Sequence, residues 1–256
     1  MLRIALVCGP VWLTALLVGA AGAQTTTGNI LTGDTKVEII AGYQENEPLP
    51  RPERTVVYDF TITPDVITMD ESAAAQLHRR RMMRTGSAGD ESPVVVARQV
   101  QAKLSSELLA QLRKLPVPVE MAPDWETGVP ANTLIVHGVV TAAREGNKTQ
   151  RVMIGFGAGA SDVEAIVTVS LITDFQPIIM QQFKLKSQSG KKPGAAATMG
   201  VGTAATAAAG AATGSLGDKK ATVQGDAARM ARAVAKQIQN LMVAQKWIAP
   251  PQPESK

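Results

Sequence analysis

From residue 163 to residue 171 every second side chain is apolar: Val163, Ala165, Val167, Val169 and Leu171. Strict period two marks a β-strand with two unlike faces, and it excludes a helix, whose side chains repeat about every 3.6 residues. Immediately upstream, Gly155, Gly157 and Gly159 alternate with Phe156, Ala158 and Ala160, and Ser161 follows. The backbone there is almost stripped of side chains. Gly146-Asn147 is a turn signal, and residues 148–154 climb from polar to apolar. The expectation is two strands flanking a bare, glycine-rich section.

A strand with one apolar face needs partners and a cover. Residues 133–143 read as a strand with Leu134, Val136 and Val140 on one face, folded back antiparallel at Gly146-Asn147. Residues 178–185 read as another, and residues 36–40 as a short one. Residues 55–62, TVVYDFTI, are rich in β-branched and aromatic side chains. Alternation there sends Val57 and Asp59 one way and Val56, Tyr58 and Phe60 the other. Two stretches carry helical stripes instead. In the first, Ser92 is placed to cap and Pro93 to start a helix with Ala97, Val100, Leu104, Leu108, Leu112 and Leu115 on one side, ended by Pro116 and Pro118. In the second, Asp226 reads as the cap ahead of Ala227, Met230, Val234, Ile238, Leu241 and Met242, with Trp247 and Ile248 closing it. This order predicts an α/β fold of the α+β type: a mostly antiparallel sheet covered on one face by two amphipathic helices.

Residues 1–23 read as an export leader. Arg3 precedes an apolar run over 4–18, and Ala21-Gly22-Ala23 predicts cleavage before Gln24. The run is shorter than the roughly 20 residues of a spanning helix. Cys8, the single cysteine, lies inside it and away from the cleavage point, so no lipid anchor is expected and the mature chain has no thiol chemistry. Residues 24–54 read as a disordered or extended lead-in with alternate prolines at 48, 50 and 52. Residues 55–248 are expected as one domain, containing a mobile loop over 63–91 and an Ala/Gly-rich insert over 193–217, with 249–256 a tail. The low aromatic content, 4%, points to a small core with long loops. The net charge of +4 falls by one with Arg3 and suits anionic polymers or lipid.

No stretch assembles a reaction centre. Gly155-Phe156-Gly157-Ala158-Gly159-Ala160 matches a dinucleotide fingerprint in outline, but a strand follows it where a helix must. His78 sits in an arginine run and His137 in a strand, without a nucleophile elbow or a paired histidine motif. No catalytic, cofactor or metal residue is therefore assigned, and no cofactor is expected. Arg79, Arg80, Arg81 and Arg84 have the planar forks that grip phosphate or carboxylate. With Gly155, Gly157, Gly159 and Ser161 they form the candidate interaction surface. Nucleic acid is not expected, because no aromatic platform stands near the arginines.

At PLPRPERTVVYDF, EGNKTQRVMIGFGAGAS and SGKKPGAAATMG the sequence resembles a bacterial exported family called domain of unknown function 4410. The resemblance runs over residues 47–248 and includes Trp247. It implies no activity and carries over no functional residue. Many such proteins look like lipoproteins; this chain departs from them in lacking a cysteine at the cleavage point. The element order is similar to that of small periplasmic accessory domains that assist wall synthesis or build secretion complexes. The resulting expectation is a non-enzymatic cell-envelope binding and assembly protein, periplasmic or outer-membrane-associated. Its partner would be an envelope protein, a wall polymer, an anionic lipid surface or a further copy of itself. The alternatives are an envelope hydrolase using His137 with Ser161 or a carboxylate, and a structural oligomer formed through the Ala/Gly tract.

Overall fold

The computed structural model describes residues 25–26, 34–43, 49–84, 92–122, 129–147, 159–174, 176–189 and 222–250. The leader, the Ala/Gly insert, the run over 148–154, Gly155, Gly157 and residues 251–256 of the tail lie outside them. Among the described residues eight strands make one sheet: β1 (Thr25–Thr26), β2 (Asp34–Gly42), β3 (Arg54–Tyr58), β4 (Ile67–Thr68), β5 (Val119–Ala122), β6 (Thr133–Arg144), β7 (Asp162–Ile172) and β8 (Pro177–Gln188). Their spatial order is β1-β2-β8-β7-β6-β3-β5, with β4 pairing β6 off that path. The β1–β2, β2–β8, β8–β7 and β7–β6 pairs are antiparallel; β3 lies parallel to both β6 and β5. The fold is thus mixed α/β with a mostly antiparallel sheet.

The alternation in β7 carries through to the packing. Val163, Ala165, Val167, Val169 and Leu171 are all fully buried in one core cluster. Leu134, Val136 and Val140 of β6 and Phe183 and Leu185 of β8 join it. Helices α2 (Pro93–Leu112) and α3 (Val223–Ala244) supply its other half through Val100, Leu104, Leu108 and Leu112, and Met230, Val234, Ile238 and Met242. Burying one such side chain contributes about 1.5–3 kcal/mol, so the facing stripes drive the assembly. Ser92 caps α2 as expected, its hydroxyl accepting from the Val95 N–H.

Five expectations are corrected. Residues 63–91, which read as a loop, hold a 3-10 turn (Pro64–Val66), β4 and helix α1 (Ala73–Arg84). Periodicity could not reveal α1, because its alanines, Leu77, Met82 and Met83 fall on no single stripe; Ser72 starts it, accepting from the Ala75 N–H. The strand expected over 36–40 forms as β2, but it lies within the sheet beside β8, so the lead-in is part of the domain. The lead-in also contains Leu49, whose carbonyl accepts from the Trp247 indole N–H at 3.1 Å. The cap of α3 is Thr222, accepting from the Gly225 N–H; Asp226 lies within the first turn. Phe60 faces the main core with Val57, not the Val56–Tyr58 side, because β3 ends at Tyr58 and the chain swings inward. Its ring lies against Gly138, where an added Cβ would meet Phe60 Cε1 at 2.2 Å. Finally, Gly146-Asn147 does not close a tight hairpin. Arg144 pairs with Asp162, so the strand that folds back on β6 begins 18 residues after Arg144.

Candidate functional site: the glycine neck and the root of the arginine helix

The chain leaving β6 and the chain entering β7 meet at a narrow neck. Gly146 and Gly159 both take left-handed φ angles, +69° and +67°, which glycine adopts without steric cost. They stand against each other: a Cβ on Gly146 would lie 2.4 Å from the carbonyl oxygens of Gly159 and Ala160. The Asn147 N–H donates to the Gly159 carbonyl at 3.0 Å. Of the glycines read as candidates, Gly159 is therefore a backbone requirement at this neck.

A cleft of about 480 Å³ opens beside the neck. One wall is Gly146, Asn147, Gly159 and Ala160; the other is Thr68 to Ser72, which leads into α1. Arg79 reaches back from α1 to the Asp70 carbonyl at 2.8 Å, and the Asp70 N–H donates to Glu145 Oε2 at 3.2 Å. Two stretches read separately in the sequence, the arginine run and the glycine motif, thus meet at one place. Arg80, Arg81 and Arg84 lie farther along α1 and face solvent. The wall formed by Asp70, Glu71 and Ser72 had no signal in the sequence.

The cleft continues onto the outer face of the sheet as a charged ladder. Arg144 of β6 contacts Asp162 Oδ2 at 2.6 Å and Glu164 Oε1 at 3.2 Å on β7. Lys186 of β8 contacts Glu164 Oε1 at 2.9 Å, and Lys184 adds a contact at 3.7 Å. The Lys186 hydrogen bond, helped by Arg144, holds the Glu164 carboxyl below the usual carboxylate range despite partial burial. Bonding to Glu164 and the charge of Asp162 raise the Arg144 guanidinium in turn.

Ser161 points the other way. It is fully buried, and its hydroxyl donates to Asp226 Oδ2 at 2.6 Å. Its N–H donates to Ser189 Oγ at 3.0 Å, and its carbonyl accepts from the Ser189 N–H. Asp226 is itself fully buried and pairs with Arg229 on the same helix. Burial pushes its carboxyl up to about 7, against the opposing pull of Arg229 and Ser161. A signal for this was present: Asp226, Met230, Val234, Ile238 and Met242 fall at four-residue spacing, placing a carboxylate on the apolar stripe.

The pairing of His137 with Ser161 is not formed. His137 stands opposite Thr168 on the outer face, seven residues along β7 from Ser161, or about 23 Å, and Ser161 faces the helices. Burial lowers the His137 pKa. The Asp59 carboxylate accepts from Ser105 Oγ of α2 at 2.7 Å. Among the described residues no cluster of three or more histidine, cysteine or acidic side chains is spaced for a metal ion. None of their helices is long and apolar enough to cross a membrane.

No curated protein matches the chain. Among solved structures it is similar to the PelC dodecamer from Paraburkholderia phytofirmans, at 13% identity and a TM-score of 0.32, over 64% of this chain and 88% of that one. A point variant of the same dodecamer gives 13% identity and a TM-score of 0.30, over 64% and 87%. The hypothetical protein CT253 from Chlamydia trachomatis gives 11% identity and a TM-score of 0.32, over 75% and 99%. Likenesses of this size carry no functional argument. The sequence match is of another kind: one family model covers residues 55–207, more than half of the chain and including the neck, the cleft and α1. The chain belongs to the family described as domain of unknown function (DUF4410).

Proposed function

We propose that this is a non-enzymatic binding and assembly protein of the cell envelope, exported and either periplasmic or outer-membrane-associated. The observation that carries this reading is the convergence of the glycine neck and the root of the arginine helix on one cleft. Binding sites are concave and present a few fixed polar groups. This cleft offers the Arg144 guanidinium, the Asp70, Glu71 and Asp162 carboxylates and the Asn147 amide. Export is supported by the leader read at residues 1–23. A partner seated at this cleft would be an envelope protein, a wall polymer or a second copy of the chain.

Site-specific photocrosslinking in the producing cell tests this. A photoreactive residue at position 147, in the cleft wall, should give a discrete envelope adduct; the same residue at position 114, beyond α2, should not. An adduct of twice the chain mass identifies a second copy. Equal labelling from both positions, or none from 147, overturns the cleft as the binding site. Recovery of the cytoplasmic chain with Met1 intact overturns the export reading.

A further inference from the structure

We infer that the solvent-facing side of α1 docks onto an anionic phospholipid bilayer. Leu77, Arg80, Arg81 and Arg84 occupy positions i, i+3, i+4 and i+7, so they share one face of the helix. Leu77 is 69% exposed, and the three arginines are exposed beside it. Single exposed leucines are ordinary on protein surfaces. This one heads a row of three guanidiniums on the same face, on a helix with no acidic residue. Glu71, ahead of the helix, is nine residues from Arg80, about 14 Å along the axis. The opposite side of α1 is tied down: Arg79, about 200° around the helix from Leu77, holds the Asp70 carbonyl at 2.8 Å. The body of the protein therefore presents the Leu77 face outward.

The combination selects the partner. A soluble polyanion would engage the guanidinium forks and gain nothing from a leucine beside them. A bilayer of acidic lipid engages both, with arginines at the level of the phosphates and leucine at the acyl boundary just beneath. This extends the envelope reading by naming one surface. The cleft residues are not involved, so lipid docking can fail while the cleft crosslink succeeds, or the reverse.

Flotation with vesicles decides it. The full chain is mixed at low salt with vesicles of phosphatidylcholine alone, or with about a third phosphatidylglycerol. The neutral vesicles account for any contribution from the apolar run over 4–18. The partition ratio, anionic over neutral, should fall about a hundredfold when Arg80, Arg81 and Arg84 are all changed to Gln. It should fall several-fold in Leu77→Ser and collapse in high salt. Changing the three arginines to Lys keeps charge and helix propensity, and should hold the ratio within about threefold. A ratio indifferent to the Gln variant places any lipid contact elsewhere and overturns the proposal. So does a ratio unmoved by Leu77→Ser, which marks a surface for soluble polyanions. Loss in the Lys variant overturns it too, because it indicates recognition of one specific anion.

Discussion

Ser161 and Asp162 are adjacent in the chain and belong to opposite sides of β7. Ser161 faces the helices and meets the buried carboxylate of Asp226; Asp162 faces outward into a ladder with Arg144 and Lys186. Both sides use carboxylates, and the surroundings give them opposite character. Asp226 is removed from water and its pKa is pushed up, with one guanidinium and one hydroxyl as partial compensation. Glu164 keeps two strong cationic partners at the surface and its pKa is held down. Desolvation wins where the group is sealed, and charge pairing wins where the group is half open. The inner side thus specifies how α3 seats on the sheet. The outer side is a polar surface beside the cleft.

The largest expected effect comes from moving a charge across this divide. Val167→Asp places an unpaired carboxylate in the main core and should destabilise by about 4 kcal/mol or more. Ile166→Asp, one residue away on the outer face and opposite Lys184, should change stability by less than about 1 kcal/mol. Chemical denaturation of the two variants measures the contrast. Equal losses would mean that the outer face is also packed.

The next effect is in pH dependence. An unfolded chain ionises Asp226 near the ordinary aspartate value of 3.8, whereas the folded chain holds the proton up to about 7. Its contribution is therefore fully present below about 4 and is lost as pH rises through 7, by of order a few kcal/mol. Subtracting the stability of Asp226→Asn from that of the wild type should leave a difference that declines over this window and is flat above it. A flat difference throughout would show that Arg229 and Ser161 fully compensate the buried charge.

The smallest effect has the opposite sign. Glu164, with its lowered pKa, contributes stability above the ordinary glutamate value of 4.5, lost as pH falls below it. Glu164→Gln should cost about 0.5–1 kcal/mol at neutral pH, and added salt should shrink that cost. A larger, salt-insensitive cost would place the ladder with the inner side.

The pattern of the chain disclosed every element that buries an apolar stripe of its own. The period-two runs of β6 and β7 and the period-3.6 stripes of α2 and α3 were legible because one face of each must leave water. Helix α1 was not legible, because it is held by polar contacts at its root and exposes its leucine. Strands β4 and β5 were not legible either, being two and four residues long. Half of the candidate site was readable: the glycines announced a backbone constraint, and the arginines announced a charged surface. That the two lie beside one cleft was not readable.

Local pattern was enough to tell which residues of β6, β7, α2 and α3 turn inward, and that the glycine motif could not begin a nucleotide-binding helix. Side-chain period is local, and hydrophobic burial acts on it directly. Tertiary structure alone decided that Arg144 pairs with Asp162 across an 18-residue separation, that Asp226 meets Ser161 across 65, and that Asp70 is fixed by Glu145 across 75. These polar contacts carry no period. They form only after apolar burial has set the register of the sheet and brought α3 down on it, because a hydrogen bond contributes about 1 kcal/mol net and cannot select a fold alone.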